Sequence, residues 1–218
     1  MLRSDAMNQL GQELQDVTAE TVRMLSLVRE SLHLARRALL DAEPAAAEQC
    51  VVNDRTIDEL QNGLEHKILS IIARRQPAAG DLRFLGAMHR ALTDVERAGD
   101  YAVHVANAGA DLATRPRLKK YTDMTRILEI LDGMLDAVIG ALADGDADAA
   151  RAARAMDEEI DELYEQIQRE LLTYMMEDTR AITPATKLLS VGRSLERLGD
   201  HLENVCEHIV FWRTAERI

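Results

Sequence analysis

Aromatic side chains are scarce in this 218-residue chain: two Phe, one Trp and four Tyr, 3% in all. Glycine (11) and proline (4) are scarce too, and a fold of many short strands needs both at its turns. That shortage excludes a β-rich architecture. Long apolar runs are missing, since no stretch approaches the roughly 18 residues of a membrane span. The opening Met1-Leu2-Arg3-Ser4-Asp5 meets charge too early for a secretory signal. Basic charge is in deficit, with 26 Lys and Arg against 38 Asp and Glu, a net charge of −12. Such a surface repels phosphate backbones and argues against nucleic-acid binding. It suits solubility, basic protein partners or bound cations. The expectation is a reduced, cytoplasmic protein.

Ala, Leu, Glu, Asp and Arg dominate instead. Straight-chain residues lose little rotamer freedom in a helix, so the fold class expected is all-α. Leu10, Leu14, Val17, Thr21, Met24, Val28, Leu32, Ala35 and Leu39 step by threes and fours along one helical face. Leu128, Leu131, Leu135, Val138 and Leu142 repeat that stripe. Pro44, Pro77, Pro116 and Pro184 fall where stripes end, and Gly145-Asp146 marks a fifth joint. Five joints predict six helices, at 5–40, 45–76, 81–113, 119–143, 147–178 and 184–215, with Thr183 as an N-cap before Pro184. Short connections make neighbours antiparallel, giving two tandem three-helix bundles, 1–114 and 117–218. The segment Thr114–Leu118 is the expected boundary, and the basic cluster Arg115, Arg117, Lys119 and Lys120 reads most simply as a solvated linker. Phe211 and Trp212 read as a packing anchor for the last helix.

The two halves are copies. Glu96-Arg97-Ala98-Gly99-Asp100 returns 100 positions later as Glu196-Arg197-Leu198-Gly199-Asp200. Asp54-Arg55-Thr56-Ile57-Asp58-Glu59-Leu60 returns 103 positions later as Asp157-Glu158-Glu159-Ile160-Asp161-Glu162-Leu163. A period this long marks a duplicated domain rather than a stacked array. Cys50 and Cys206 each correspond to an alanine, Ala153 and Ala106, which makes them small packing residues rather than ligands or disulfide partners.

Each half keeps two carboxylate pairs spaced i, i+4, a spacing that stacks both acids on one helix face. They are Asp54 with Asp58, Glu96 with Asp100, Asp157 with Asp161, and Glu196 with Asp200. Asp58 and Asp100 lie equally far from a helix turn centred near residue 79, so the pairs should meet at one height. The second half repeats this about a turn near residue 180. Carboxylates crowded at such a seam raise their pKa values, recruit Arg or Lys, or bind a metal. Arg97 and Arg197 offer the second outcome. For the third, oxygen donors favour Mg²⁺ or Mn²⁺, with iron or zinc also served by carboxylates. Gly99 and Gly199 stand mid-helix, at about 1 kcal/mol each relative to alanine, as if a side chain would obstruct a close helix or an ion. His104, Asn204 and Glu207 continue the same faces as secondary candidates, with Asn107 the first-half counterpart of Glu207.

These motifs, with Asp81-Leu82-Arg83-Phe84-Leu85, Tyr101 and His201-Leu202-Glu203-Asn204-Val205, resemble the PhoU family over essentially the whole chain. The resemblance implies a cytoplasmic adaptor without catalysis. It would couple the ATPase subunit of a phosphate-importing ABC transporter to a phosphate-sensing histidine kinase and damp the phosphate-starvation response. It would reach the membrane through those partners alone and form a homodimer. It also implies metal ions at the eight acids of the E/D-x-x-x-D motifs. His104 and Asn107 depart from the family's Asn and acid, so the first site should differ from the second. A di-iron carboxylate enzyme is the rival. It requires Glu-x-x-His on two helices, and here Glu30 with His33 stands alone. No GxxxxGK[ST] phosphate loop is present. A metal-independent helical adaptor is the other alternative.

Overall fold

The computed structural model describes residues 2–216, with side chains from residue 9 onward; residue 1 and residues 217–218 of the expected domain limits lie outside it. Its helices are α1 (Leu2–Leu40), α2 (Pro44–Arg75), α3 (Ala79–Leu112), α4 (Thr122–Asp144), α5 (Ala147–Arg154), α6 (Asp157–Glu177) and α7 (Ile182–Thr214). No strand occurs among the described residues. The α1 stripe from Val17 to Leu39 is buried, and Thr21 is tolerated there because its hydroxyl donates to the Val17 carbonyl at 2.8 Å. Burying each large aliphatic side chain contributes about 1.5–3 kcal/mol.

The joints follow local chemistry. Pro44 opens α2, where its missing N–H has no helical acceptor to lose. Gly145 ends α4 in the left-handed region (φ 62°), and the Asp146 side chain then caps α5 by accepting from the amides of Asp148 and Ala149. Two expectations need correction. The helix expected over 147–178 is interrupted at Ala155-Met156, where the Met156 amide bonds Ala153, three residues back. Thr183 is not an N-cap. A 3₁₀ turn over Thr179–Ala181 starts the coil early, and Pro184 falls within the first turn of α7, where it has no bond to break. α4 also begins three residues later than expected, leaving Lys119 and Lys120 in the connection.

α1, α2 and α3 form one bundle, and α4, the α5–α6 pair and α7 the other. α3 packs along α7, α1 packs on α4, and one apolar core runs through both bundles. α3 and α7 are antiparallel. Arg83 Nε donates to the Trp212 carbonyl at 2.8 Å, Phe84 meets the Trp212 ring edge-on, and Lys187 pairs with Asp111 at the far end. Midway, the duplicated positions Tyr101 and His201 stack on each other at 5.7 Å, as an approximate two-fold axis between repeats requires. The hairpins α2/α3 and α6/α7 therefore lie on either side of that axis, each with its acidic seam.

Candidate metal centre

The α2/α3 hairpin brings Asp54, Asp58, Glu96 and Asp100 together. Burial first, then the charges of Asp100 and Asp58, push the Asp54 carboxyl up to about 6, while His104 opposes the shift. Glu96 is raised by burial and then by Asp100, with Asp58 and Asp54 adding to it and Arg97 opposing. Arg97 reaches Asp100 at 3.5 Å and Glu96 at 3.7 Å. Asp54 Oδ1 is buried without a hydrogen-bond partner. A Cβ on Gly99 would stand 3.1 Å from Ile57 and 3.7 Å from that oxygen.

The α6/α7 hairpin is tighter and more acidic. Asp157 is 6% exposed, and its Oδ1 also has no partner. Burial, then Asp161, Asp200, Glu203 and Glu196, raise its pKa to about 7. Asp157, Asp200 and Glu203 each place an oxygen within 4.8 Å of the others, and so do Asp161, Glu196 and Asp200. The two triads share Asp200. A Cβ on Gly199 would overlap Asp157 Oδ1, so the glycine makes the space in which this carboxylate sits. Two guanidiniums attend five carboxylates. Arg197 holds Asp200 at 2.8 Å and Glu196 at 3.4 Å, and Arg154 holds Glu203 at 2.8 Å. Neither Arg forms an ion pair with Asp157 or Asp161, although Arg197 opposes the rise of Asp161, so carboxylates outnumber their ion-pair partners in this pocket.

All eight motif acids thus converge in two seams. Of the secondary candidates, His104 borders the first seam closely enough to oppose the rise of Asp54, while Asn204 and Glu207 do not join the second. Asn204 Nδ2 donates to Asp94 at 3.0 Å, and Glu207 pairs with Arg154 at 3.3 Å, so both are turned to other partners. His104 is exposed, set edge-on against Tyr101, and Asn107 is exposed as well. Glu203 was missed, because its counterpart in the first repeat is Val103 and a search for residues kept in both copies passes over it. Asp94 was missed for the same reason, its counterpart being Ser194. It accepts from His201 at 2.9 Å and Asn204 at 3.0 Å and pairs with His208 at 3.1 Å, which clamps α3 to α7. Among the described residues no group of three in the first seam closes to the 4.8 Å seen in the second. Both thiols are buried, and burial raises Cys50 to about 11 and Cys206 to about 12, which keeps them protonated.

Unpartnered, desolvated carboxylate oxygens beside further carboxylates are donors of the kind a hard or borderline cation accepts. Fold and seams together define a tandem-repeat helical protein with a duplicated carboxylate pocket. The family model of the PhoU domain matches residues 21–108 and 124–209, once per repeat. A Deinococcus radiodurans protein named as a phosphate-specific transport system accessory protein PhoU homolog is 45% identical over 95% of this chain and 98% of its own length. The crystal structure of PhoU from Pseudomonas aeruginosa superposes with a TM-score of 0.91 at 34% identity, covering 94% of this chain and 99% of that one. The phosphate transport system regulatory protein PhoU from Streptococcus pneumoniae gives 0.89 at 26% identity over 96% and 99%. The chain belongs to the PhoU family.

Proposed function

We propose that this protein is a metal-binding accessory protein of a phosphate-specific transport system that negatively regulates phosphate uptake and the phosphate-starvation response. The names of its relatives support the transport role. The observation that carries the metal role is that Asp157, whose buried Oδ1 has no partner, offers a carboxylate oxygen within 4.8 Å of those of Asp200 and Glu203. In this reading Asp157, Asp161, Glu196, Asp200 and Glu203 hold ions in the second repeat, and Asp54, Asp58, Glu96 and Asp100 in the first. Mg, Mn, Fe and Zn all suit oxygen donors. The ion supplies the positive charge that the pocket lacks. Arg197 and Arg154 orient the outer carboxylates, and the buried Ile57 and Ile160 pack beside the glycine of each seam. The partners are the transporter's ATPase subunit and a phosphate-sensing histidine kinase, met at the cytoplasmic side of the membrane. No helix among the described residues is long and apolar enough to cross it.

Elemental analysis of protein purified without chelator tests the metal role: wild type should retain metal that the D100A D200A double variant loses. Metal-free wild type, unshifted in melting temperature by Mg²⁺, Mn²⁺, Zn²⁺ or Fe²⁺, would establish the metal-independent adaptor instead. Gene deletion should de-repress phosphate-scavenging genes in high phosphate, and unchanged repression refutes the regulatory role. A pull-down from phosphate-replete cells should recover the ATPase or the kinase.

A further inference from the structure

On this acidic molecule one groove collects cations. It lies where the end of α1 meets the α3–α4 connection and the first turn of α4, with a volume near 590 Å³. Arg36, Arg117, Lys120 and Arg126 line it, and Glu129 is the one acid among its lining residues. Arg126 is engaged, with Glu159 at 2.9 Å and Glu129 at 3.8 Å. Arg117 is anchored: its guanidinium lies 5.2 Å over the ring of the buried Tyr121 and donates to the Leu40 carbonyl, which leaves its charge fixed at the wall. Arg36 and Lys120 carry no hydrogen bond or ion pair among the described residues. Arg29, Lys67, Arg75 and Arg154 elsewhere reach carboxylates, while Arg23, Arg55 and Arg90 form no ion pair among the described residues either, so it is the gathering of cations in one groove that sets this site apart.

Arg36, Arg117 and Lys120 share this groove and none of them forms an ion pair among the described residues, an arrangement that a bound anion relieves. Two further features have the same sign. No side chain caps the first turn of the 23-residue α4, whose amides and positive dipole end open beside Thr122. Leu40 and Tyr121 add apolar wall, and the volume exceeds that of an inorganic ion and falls in the range of small-molecule sites, about 300–1,000 Å³. The groove is not part of the duplicated seams, since the second-repeat counterpart of Arg36 is Ile139.

We propose that this groove is a binding site for a phosphoryl-bearing organic anion, a dianion or higher of about nucleotide size, either free or as a lipid headgroup. Arg117 and Arg36 offer planar donor forks to phosphoryl oxygens, and Lys120 a mobile third charge. The inference is independent of the metal reading.

The test is equilibrium binding of ATP, pyrophosphate and inorganic phosphate by calorimetry at low ionic strength, with EDTA present so that metal-bridged phosphate at the carboxylate seams contributes nothing. Flotation with phosphatidylglycerol vesicles, against phosphatidylcholine alone, forms a second arm. ATP or pyrophosphate should bind, weaken as salt rises, and lose at least tenfold in affinity in R36A K120A. The melting temperature of that variant should not fall, because neither side chain has a partner to lose and mutual repulsion is relieved. R36K K120R, which keeps the charge, should lose less affinity than R36A K120A, and D100A D200A should lose none. Retention on phosphatidylglycerol vesicles without ATP binding, abolished by the same double variant, assigns the anion to a lipid headgroup. Failure of every probe at millimolar concentration, or binding undiminished in R36A K120A, overturns the proposal. Sulfate competing as well as pyrophosphate overturns the phosphoryl assignment.

Discussion

At the scale of single residues, two glycines at equivalent positions make unequal demands. A methyl group on Gly199 collides with Asp157 Oδ1, whereas on Gly99 the nearest atom is the movable end of Ile57 at 3.1 Å. Gly199→Ala should therefore destabilise by about 1–3 kcal/mol and eject metal from the second seam. Gly99→Ala should be nearly neutral, the contact offset by about 1 kcal/mol of helix propensity. Thermal melts with and without Mn²⁺ distinguish the two. Asp157 also sets a pH dependence. Its folded pKa, about 7, lies above the ordinary carboxylate value of about 4, so in metal-free protein its ionisation opposes folding. That penalty is absent below about pH 4, grows to pH 7 and is constant above. Urea melts in EDTA should show a more stable protein at pH 5 than at 7.5, by on the order of 2–4 kcal/mol from this group, with the difference flattened in Asp157→Asn. The paired acids were legible because they occur twice. Glu203 and Asp94 occur once, opposite Val103 and Ser194, and no repeat announces them.

At the scale of elements, the α3–α7 contact is fastened by Asp94. Although burial alone would raise it, hydrogen bonds from His201, His208 and Asn204 hold its carboxyl down near 2. Its contribution, on the order of 2 kcal/mol, is complete above the unfolded value near 4 and is lost as pH falls through 2. Asp94→Ala should lower the melting temperature by several degrees at neutral pH, and its stability difference from wild type should shrink between pH 4 and 2. Gly109 fixes a second crossing: a Cβ there would lie 2.7 Å from the backbone nitrogen of Leu39, so Gly109→Ala must part α1 from α3. A loss of about 3 kcal/mol in denaturant melts is expected, larger than for either seam glycine. Six helical rods were readable from stripes and prolines. The interruption at Ala155-Met156 was not, because an alanine-rich segment without Gly or Pro carries no breaker signal, and the change is a tightened turn rather than a reversal.

At the scale of the whole molecule, the continuous core makes the repeats interdependent. A fragment starting at Thr122 would expose the surface that α7 turns toward α3 and that α4 turns toward α1. It should self-associate in sedimentation velocity, whereas the intact chain should unfold in one cooperative transition. The pairing of α3 with α7 was invisible in the sequence, since contacts between bundles use the same aliphatic residues as contacts within them. The interruption after Ala155 has a further consequence. In the first repeat the acids at Asp54 and Asp58 ride on an unbroken 32-residue rod, but Asp157 begins a new helix behind an eight-residue segment whose last residue, Arg154, grips α7. Amide hydrogens near that hinge should exchange faster than those of the matching stretch of α2, and cation loading should slow them.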